Sequence, residues 1–432
     1  MNTVSDMGPG GPNQVAPWES YLATSLLFLA VLFALLPPGF SWADAEDSST
    51  FVGGSIGFQL QWGSIFAISV LLVVRHPAYL VWCLKNSNPF LLALFVYCLA
   101  STAWSPYGMV TLKKAVQIGG LILFSIAIQL DRKPWTHSVG VVLAALTGIE
   151  LASVFVALVN PSFGIDAAFG YAWRGVVSGK NTLGAIGALS LLLWISLWRV
   201  EGVAKPVFWS GVGLSVVCVV MSTSSTSLTM AAVGLFIFWV FHKQHIGSPL
   251  WLQRLLVVMA LVVLASLHLF FIAEGRLPEI HEILGPFAGL FGKSADLTGR
   301  ADVWGPLYIE IAKHWVFGIG YGAFWLGPGS PSQPILDTLP WMPLQAHNGY
   351  LDLLNELGAV GCVLFAGLVL SQAQALSRLT RIDRRAAAVF SAVFATILIS
   401  NLSESALFRG VVFNFLLMIL SSTRITSMVG QR

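Results

Sequence analysis

Charge is what this sequence has least of. Asp, Glu, Lys and Arg make up only 10% of its 432 residues, against about 25% in an average soluble domain, which excludes a water-exposed surface over most of the chain. Cysteine is also sparse. Cys83, Cys98, Cys218 and Cys362 lie in or beside apolar runs with no C-x-x-C pair, so they read as small core residues rather than disulfide or metal ligands. Residues 1–19 hold no Lys or Arg, and the first apolar run, Tyr21 to Leu36, lacks the basic flank of a signal peptide. Ala43-Asp-Ala45 resembles a cleavage site, yet a retained first span is the expectation. Internal repeats, low-complexity tracts and a metal-binding acidic cluster in the longest loop are missing too. With a net charge of only +3, no nucleic-acid partner is expected.

What the chain has is hydrophobicity, at 56%. A membrane helix needs about 20 mainly apolar residues, and apolar runs centre on 20–38, 53–74, 88–104, 109–130, 136–159, 181–199, 206–221, 226–242, 251–273, 349–371, 386–402 and 407–422. The expected fold is an all-α integral membrane protein of about twelve spans, with the lipid bilayer as its solvent. The positive-inside rule sets its orientation. With the N-terminus in the cytoplasm, most Lys and Arg fall on that side, and the short loop 373–385 alone carries Arg378, Arg381, Arg384 and Arg385. The expected organisation is a cytoplasmic tail at 1–19, spans one to nine over 20–273, a large outward loop at 274–348, spans ten to twelve over 349–422 and a second cytoplasmic tail at 423–432.

A loop of that length is functional or disordered, and this one carries order. Trp304, Leu307, Tyr308, Ile311 and Trp315 recur at helical spacing opposite Asp302, Glu310, Lys313 and His314, a pattern suited to an amphipathic helix on the membrane surface. Its start, "DLTGRADVWGPL", puts Arg300 beside the first unpaired N–H groups of the helix. Helix N-termini attract anions, and a guanidinium fork matches phosphate. The plainer alternative is an interfacial arginine among lipid headgroups. "GIGYGAFW", residues 318–325, lacks the strand-turn-helix context of a nucleotide loop and reads as a close-packed turn.

The loop ends in "LQAHNGYLDLLNELG", residues 344–358. His347 precedes a helix at the membrane surface, where a neutral imidazole can take a proton near pH 7; a capping or interface role is the alternative. Asn348 and Tyr350 flank it, and Glu356 lies about 12 Å along the helix axis from Asn348. Other outward segments bring Arg174, Lys180 and Asn181 ("YAWRGVVSGKNTLG") and Lys113 and Lys114 ("STAWSPYGMVTLKK"). Each cation suits an interface anchor, and together they suit a cavity for a diphosphate. Within the bilayer, Glu150 and His268 read as structural groups paired with neighbouring helices.

The ordered set "TGRADVW", "HWVFGIGYGAFW" and "AHNGYLDLLNELGAVG", with weaker support from "STAWSP" and "RGVVSGKN", resembles the O-antigen ligase and polymerase family, and within it the exopolysaccharide-production polymerases. The resemblance covers about residues 296–360. It implies a membrane glycosyltransferase bundle of the GT-C-like kind in the bacterial inner membrane, working on the periplasmic face without metal or other cofactor. The donor would be an undecaprenyl-diphosphate-linked oligosaccharide and the acceptor a glycan hydroxyl, with other polysaccharide export components as further partners. By the same resemblance, Arg300 holds the diphosphate and His347 is the base, with Asn348, Tyr350 and Glu356 in support. A second arginine is expected upstream; "MSTSSTSL", residues 221–228, has none, so Arg174 is its substitute, with Lys180, Lys113 and Lys114 as further diphosphate binders. A ligase acting on lipid A core or protein remains the alternative to a polymerase, and a flippase or transporter ranks below both, because the polar candidates gather at the outer surface rather than at the midplane.

Overall fold

The computed structural model describes residues 15–37, 55–130, 133–167, 170–198, 203–242, 300–339, 341–405 and 407–430. Its longer helices are α1 (Pro17–Leu35), α2 (Ile56–Val74), α3 (Pro77–Asn86), α4 (Pro89–Ala100), α5 (Gly108–Ala127), α6 (Trp135–Val159), α7 (Lys180–Ser196), α8 (Lys205–Met221), α9 (Ser225–His242), α10 (Arg300–Lys313), α11 (Gly349–Leu379), α12 (Arg384–Ser400) and α13 (Phe413–Gly430). Short polar signals start them. Pro17, Pro77, Pro89 and Pro206 stand in the first turns of α1, α3, α4 and α8, where the missing N–H costs nothing. Ser55, Asn88, Asn348 and Asp383 cap α2, α4, α11 and α12 by accepting backbone N–H groups, each worth about 1 kcal/mol.

Seven of the described helices are long and apolar enough to cross a membrane; α3 with the continuation of α4 to Ala103, bent by 99°, makes an eighth if taken as one span. At 25 residues, α6 extends about 37 Å, more than the roughly 30 Å hydrocarbon core. Large apolar side chains such as Leu71, Val74, Leu151, Phe155 and Leu158 stay exposed on these helices, as lipid-facing surfaces require. Each predicted run coincides with a described helix except 251–273, which lies outside the described residues, as does His268. Two runs are corrected. The run 88–104 becomes the second arm of a bent pair, and the run 407–422 yields a helix only from Phe413, leaving 407–412 as a loop. The segment after α6 also holds a strand pair not expected from sequence, β1 (Ile165–Asp166) and β2 (Ala172–Trp173), paired antiparallel.

In the bundle α9 lies along α12, α7 packs against α6, α8 and α9, α2 against α5, α1 against α6, and α11 against α4 and α13. Glu150, fully buried on α6, accepts hydrogen bonds from Ser190 at 3.1 Å and Ser215 at 3.3 Å, so this intramembrane carboxyl is partnered by α7 and α8.

The element that ties the loop to the bundle is a break in α11. Gly358 has φ +65° and ψ −167° inside an otherwise helical span, which separates the backbone groups on its two sides from their normal i→i−4 partners. The segment 315–320 takes them up. Ile319 and Gly320 donate to the carbonyls of Asn355 and Glu356 at 3.0 Å each, while Ala359 and Val360 donate to Trp315 at 2.8 Å and Val316 at 3.1 Å. Tyr97 donates to both Phe317 O and Leu357 O, and Trp104 donates to Gly318 O. Irregular backbone at a membrane helix is tolerated where protein groups satisfy it.

The described part of the loop also has its own core. Val303, Trp304, Leu307 and Ile311 of α10 pack on Phe324, Trp325, Ile335 and Ala346. This corrects the expected membrane-surface face, because Trp304, Leu307 and Ile311 turn inward to the loop, and only Tyr308 and Trp315 of that set stay exposed.

A Cβ at Gly358 would lie 2.4 Å from Val316 O, and a non-glycine backbone held in such a region costs about 1–3 kcal/mol. Gly358→Ala is therefore expected to lower the thermal midpoint of the detergent-purified protein, while Gly148→Ala, with nothing within 4 Å of its added carbon, leaves it unchanged or higher. Equal midpoints for the two variants would contradict the role given to the break.

Candidate functional site

His347 is held by its neighbours on both sides. Ala346 donates its N–H to the two oxygens of Asp352 at 3.3 Å each and accepts from the Trp304 indole at 2.7 Å. Asp352 is buried and also accepts from Trp325 Nε1 at 2.7 Å. On the other side, Asn348 N–H reaches Ser405 Oγ at 3.1 Å and Gly349 N–H reaches Asn401 O at 2.9 Å. These bonds keep His347 at φ +51°, a conformation a non-glycine residue rarely adopts unless its surroundings fix it. The side chain is 26% exposed.

Two polar groups approach the ring, and two more hold them in place. Gln345 Nε2 is 3.1 Å from His347 Nδ1, and Glu404 Oε2 is 3.6 Å from it. Asn181, at the start of α7, donates to the other carboxylate oxygen, Glu404 Oε1, at 2.7 Å. Arg409 donates to Gln345 Oε1 at 2.9 Å and to Leu344 O. Because a guanidinium only donates, Arg409 fixes which end of the Gln345 amide faces it and so turns the NH₂ towards His347 and Glu404. Among the described residues, no group is bonded to His347 Nε2.

Beneath this cluster lies a buried clamp on the "GYG" turn. Gly322 N–H donates to Glu356 Oε2 at 2.8 Å, and its carbonyl accepts from Lys114 Nζ at 2.7 Å. Gly322 has φ +66°, and a Cβ there would fall 2.1 Å from Lys114 Cδ, so only glycine fits between the two side chains. Tyr321, fully buried, donates its N–H to Ser101 Oγ, and its phenolic oxygen accepts from Gly410 N–H at 3.0 Å. Burial first, and then the neighbouring Cys98 and Glu356, raise the Tyr321 phenol well above its ordinary value; the ring therefore stays neutral and joins the "GYG" turn to the loop that carries Arg409.

The predicted residues separate by what they contact. Arg300 begins α10, but its side chain lies outside the described ones, as do residues 251–299. Arg174 donates to Phe163 O at 2.8 Å and stacks its guanidinium over the Phe163 ring, which engages it in the α6–α7 connection. Lys180 begins α7 next to Asn181. Lys113 is exposed, whereas Lys114 turns inward to Gly322. Asn348 caps α11 through Tyr350 and Leu351 N–H, and Tyr350 donates to Leu398 O at 2.7 Å; both hold the helix rather than face His347. Glu356 supports the loop through Gly322. Sequence reasoning missed Glu404, Gln345 and Arg409 as neighbours of His347. Their signal was one acid and one arginine in the short connection between two apolar runs, "NLSESALFRG", residues 401–410.

Removing the Tyr321 oxygen would leave the buried Gly410 N–H without its acceptor, at a cost of about 1–3 kcal/mol. Tyr321→Phe is expected to lower the thermal midpoint at neutral pH. Because the folded-state value is raised, the phenol's contribution is full below the unfolded value of about 10 and is lost as pH climbs above it. The native protein should therefore lose stability in that alkaline window more steeply than the variant. Parallel slopes, measured by thermal unfolding from pH 8 to 11, would contradict this assignment.

Residues 210–366, from within α8 to within α11, match a family model described as O-antigen ligase. Over 212 residues the chain is 27% identical to the exopolysaccharide production protein ExoQ of Rhizobium meliloti (strain 1021), a match that takes in 45% of this chain and 44% of that protein. The matched stretch thus spans less than half the length of this curated relative. Arg300, the "GYG" turn, His347 and Glu356 lie inside residues 210–366, so the likeness to O-antigen ligases covers the segment that carries them, whereas Lys114, Asn181, Glu404 and Arg409 lie outside it.

Proposed function

We propose that the protein is a membrane glycosyltransferase of bacterial surface or exopolysaccharide synthesis. It transfers a glycan from undecaprenyl diphosphate to the hydroxyl of an acceptor sugar on the periplasmic face of the inner membrane. The observation that carries this reading is the placement of His347, partly exposed, with an unengaged Nε2, beside a carboxylate and an amide-locked arginine, within the segment that matches O-antigen ligases. The likeness to an exopolysaccharide production protein favours polymerase over ligase. The arginine-rich connection between α11 and α12 favours a cytoplasmic side opposite His347.

In this reading the acceptor hydroxyl attacks the anomeric carbon, its proton passes to His347 Nε2, the new glycosidic bond forms and the bond to the diphosphate oxygen breaks. In-line attack inverts the anomeric centre. The leaving diphosphate gathers negative charge as the bond breaks, so cations placed beforehand lower the barrier. Arg300, at the start of α10, is the first such cation, aided by the N–H groups and dipole of that helix. Arg174, Lys180 and Lys113 are further anion contacts along the same face, and Lys114, with Asn348, Tyr350 and Glu356, supports the loop.

His347→Ala and Arg300→Ala, each checked for normal membrane abundance, are expected to abolish long polymer, with a rate loss of roughly 10² to 10⁴-fold for the base alone. Normal chain lengths from both variants would overturn the site. A deletion strain separates the two acceptor classes. Single lipid-linked repeats should accumulate for a polymerase, whereas long lipid-linked chains would mean a ligase.

A further inference from the structure

Glu404 is a carboxylate that the proposed reaction does not yet use, and its surroundings give it a specific task. Its two oxygens differ. Oε1 receives the Asn181 amide at 2.7 Å, and Oε2 points to His347 Nδ1 at 3.6 Å. The distance is set by backbone, because the connection 401–405 is stitched to residues 348 and 349 by the Ser405 and Asn401 bonds.

An imidazole that takes a proton at Nε2 must carry its resting proton on Nδ1, and Nδ1–H needs an acceptor. Gln345 cannot be that acceptor. Arg409 occupies its carbonyl oxygen, so the amide can show His347 only N–H. Among the described residues around Nδ1, the acceptor left is Glu404. The two neighbours therefore favour opposite tautomers: Gln345, donating to Nδ1, leaves Nε2–H and an unreactive ring, whereas Glu404, accepting from Nδ1–H, leaves Nε2 bare.

Resting on the base role given to His347, we propose that Glu404 is its positioning residue. It selects the Nδ1–H tautomer and stabilises the imidazolium formed as the acceptor hydroxyl loses its proton, while Asn181 holds the carboxylate and Arg409, through Gln345, removes the competing acceptor. A buried or half-buried carboxylate paired with a histidine acts in this way by orientation and charge, without itself taking the proton. The other charged groups around His347 are Arg409 on the same connection, Asp352 beneath Ala346 on α11, and Lys180 beside Asn181 on α7. None of these is bonded to Nδ1 among the described residues.

The test is Glu404→Gln, compared with Glu404→Asp and His347→Ala. Initial rates of glycan transfer by the full chain in lipid nanodiscs are measured from pH 5 to 9 with an undecaprenyl-diphosphate-linked oligosaccharide. The Gln side chain keeps an acceptor for Asn181 but offers His347 an NH₂, which pins the unreactive tautomer. Expected is a fall in the kcat plateau of roughly 10²-fold or more with KM little changed. Without the carboxylate the imidazolium is less favoured, so the acid limb of kcat/KM moves to lower pH by roughly one unit. Glu404→Asp should recover part of the rate and the original limb. A purely structural role would lower abundance or raise KM without moving the limb.

A wild-type plateau and an unmoved limb in Glu404→Gln, alongside an inactive His347→Ala, would overturn the positioning role and leave the base in place. Full activity in His347→Ala would overturn the base reading itself. Should Glu404→Gln fail to accumulate in the membrane, Asn181→Ala carries the test. Freeing Glu404 Oε1 should lower kcat at constant KM, and an unchanged kcat would reject the proposal.

Discussion

The arrangement around His347 depends on one backbone constraint, the break of α11 at Gly358. A continuous helix would have satisfied its own amides and left the long loop nothing to bind at the bundle. With the break, two carbonyls and two N–H groups are supplied by the segment 315–320, and the loop becomes part of the membrane domain. The clamp of Lys114 and Glu356 on Gly322 lies one step further along the same segment, and Tyr321 carries the connection to Gly410. Each bond is of ordinary strength, about 1 kcal/mol net. Their value is geometric, because together they fix both ends of the peptide that presents His347.

Charge follows the same logic. Charged groups are rare in this chain, and around His347 the polar groups are shared. Asp352 serves Ala346 and Trp325, Gln345 bridges Arg409 and His347, and Glu404 bridges Asn181 and the ring. Unpaired buried polar groups are costly, and a cluster of this density at one end of an apolar bundle fits the proposed handling of a polar substrate there. Towards the opposite end, Arg385 caps the carbonyls of Ser196 and Trp198 and Arg384 bonds Phe241 O, ordinary anchoring at helix termini.

The helices are legible because a period-free apolar run of sufficient length has few alternatives, although only seven of the described ones, or eight with the bent pair, are long and apolar enough to cross a membrane. The Gly358 break was not, since one glycine among leucines in "LLNELGAVG" looks like any other helical glycine until the loop that fills the gap is known. The face of α10 was read correctly as apolar, but its partners, Phe324 and Trp325, follow it by some twenty residues and no period in the sequence links them, so the face was given to lipid. His347 stood out by its rarity and its place before a cap. Glu404 and Arg409 did not, because their importance comes from α11 and α13 being neighbours, a tertiary fact that local pattern does not encode.

The central claim is that the lipid-linked diphosphate and the acceptor hydroxyl meet at the His347 end of the bundle. Electron cryomicroscopy of the full chain in a nanodisc, with an undecaprenyl-diphosphate sugar bound, measures this directly. The expected result is a diphosphate at the start of α10 with the anomeric carbon facing His347 Nε2. A diphosphate seated instead at the other end of the bundle, against Gln129 and Arg424, would contradict it.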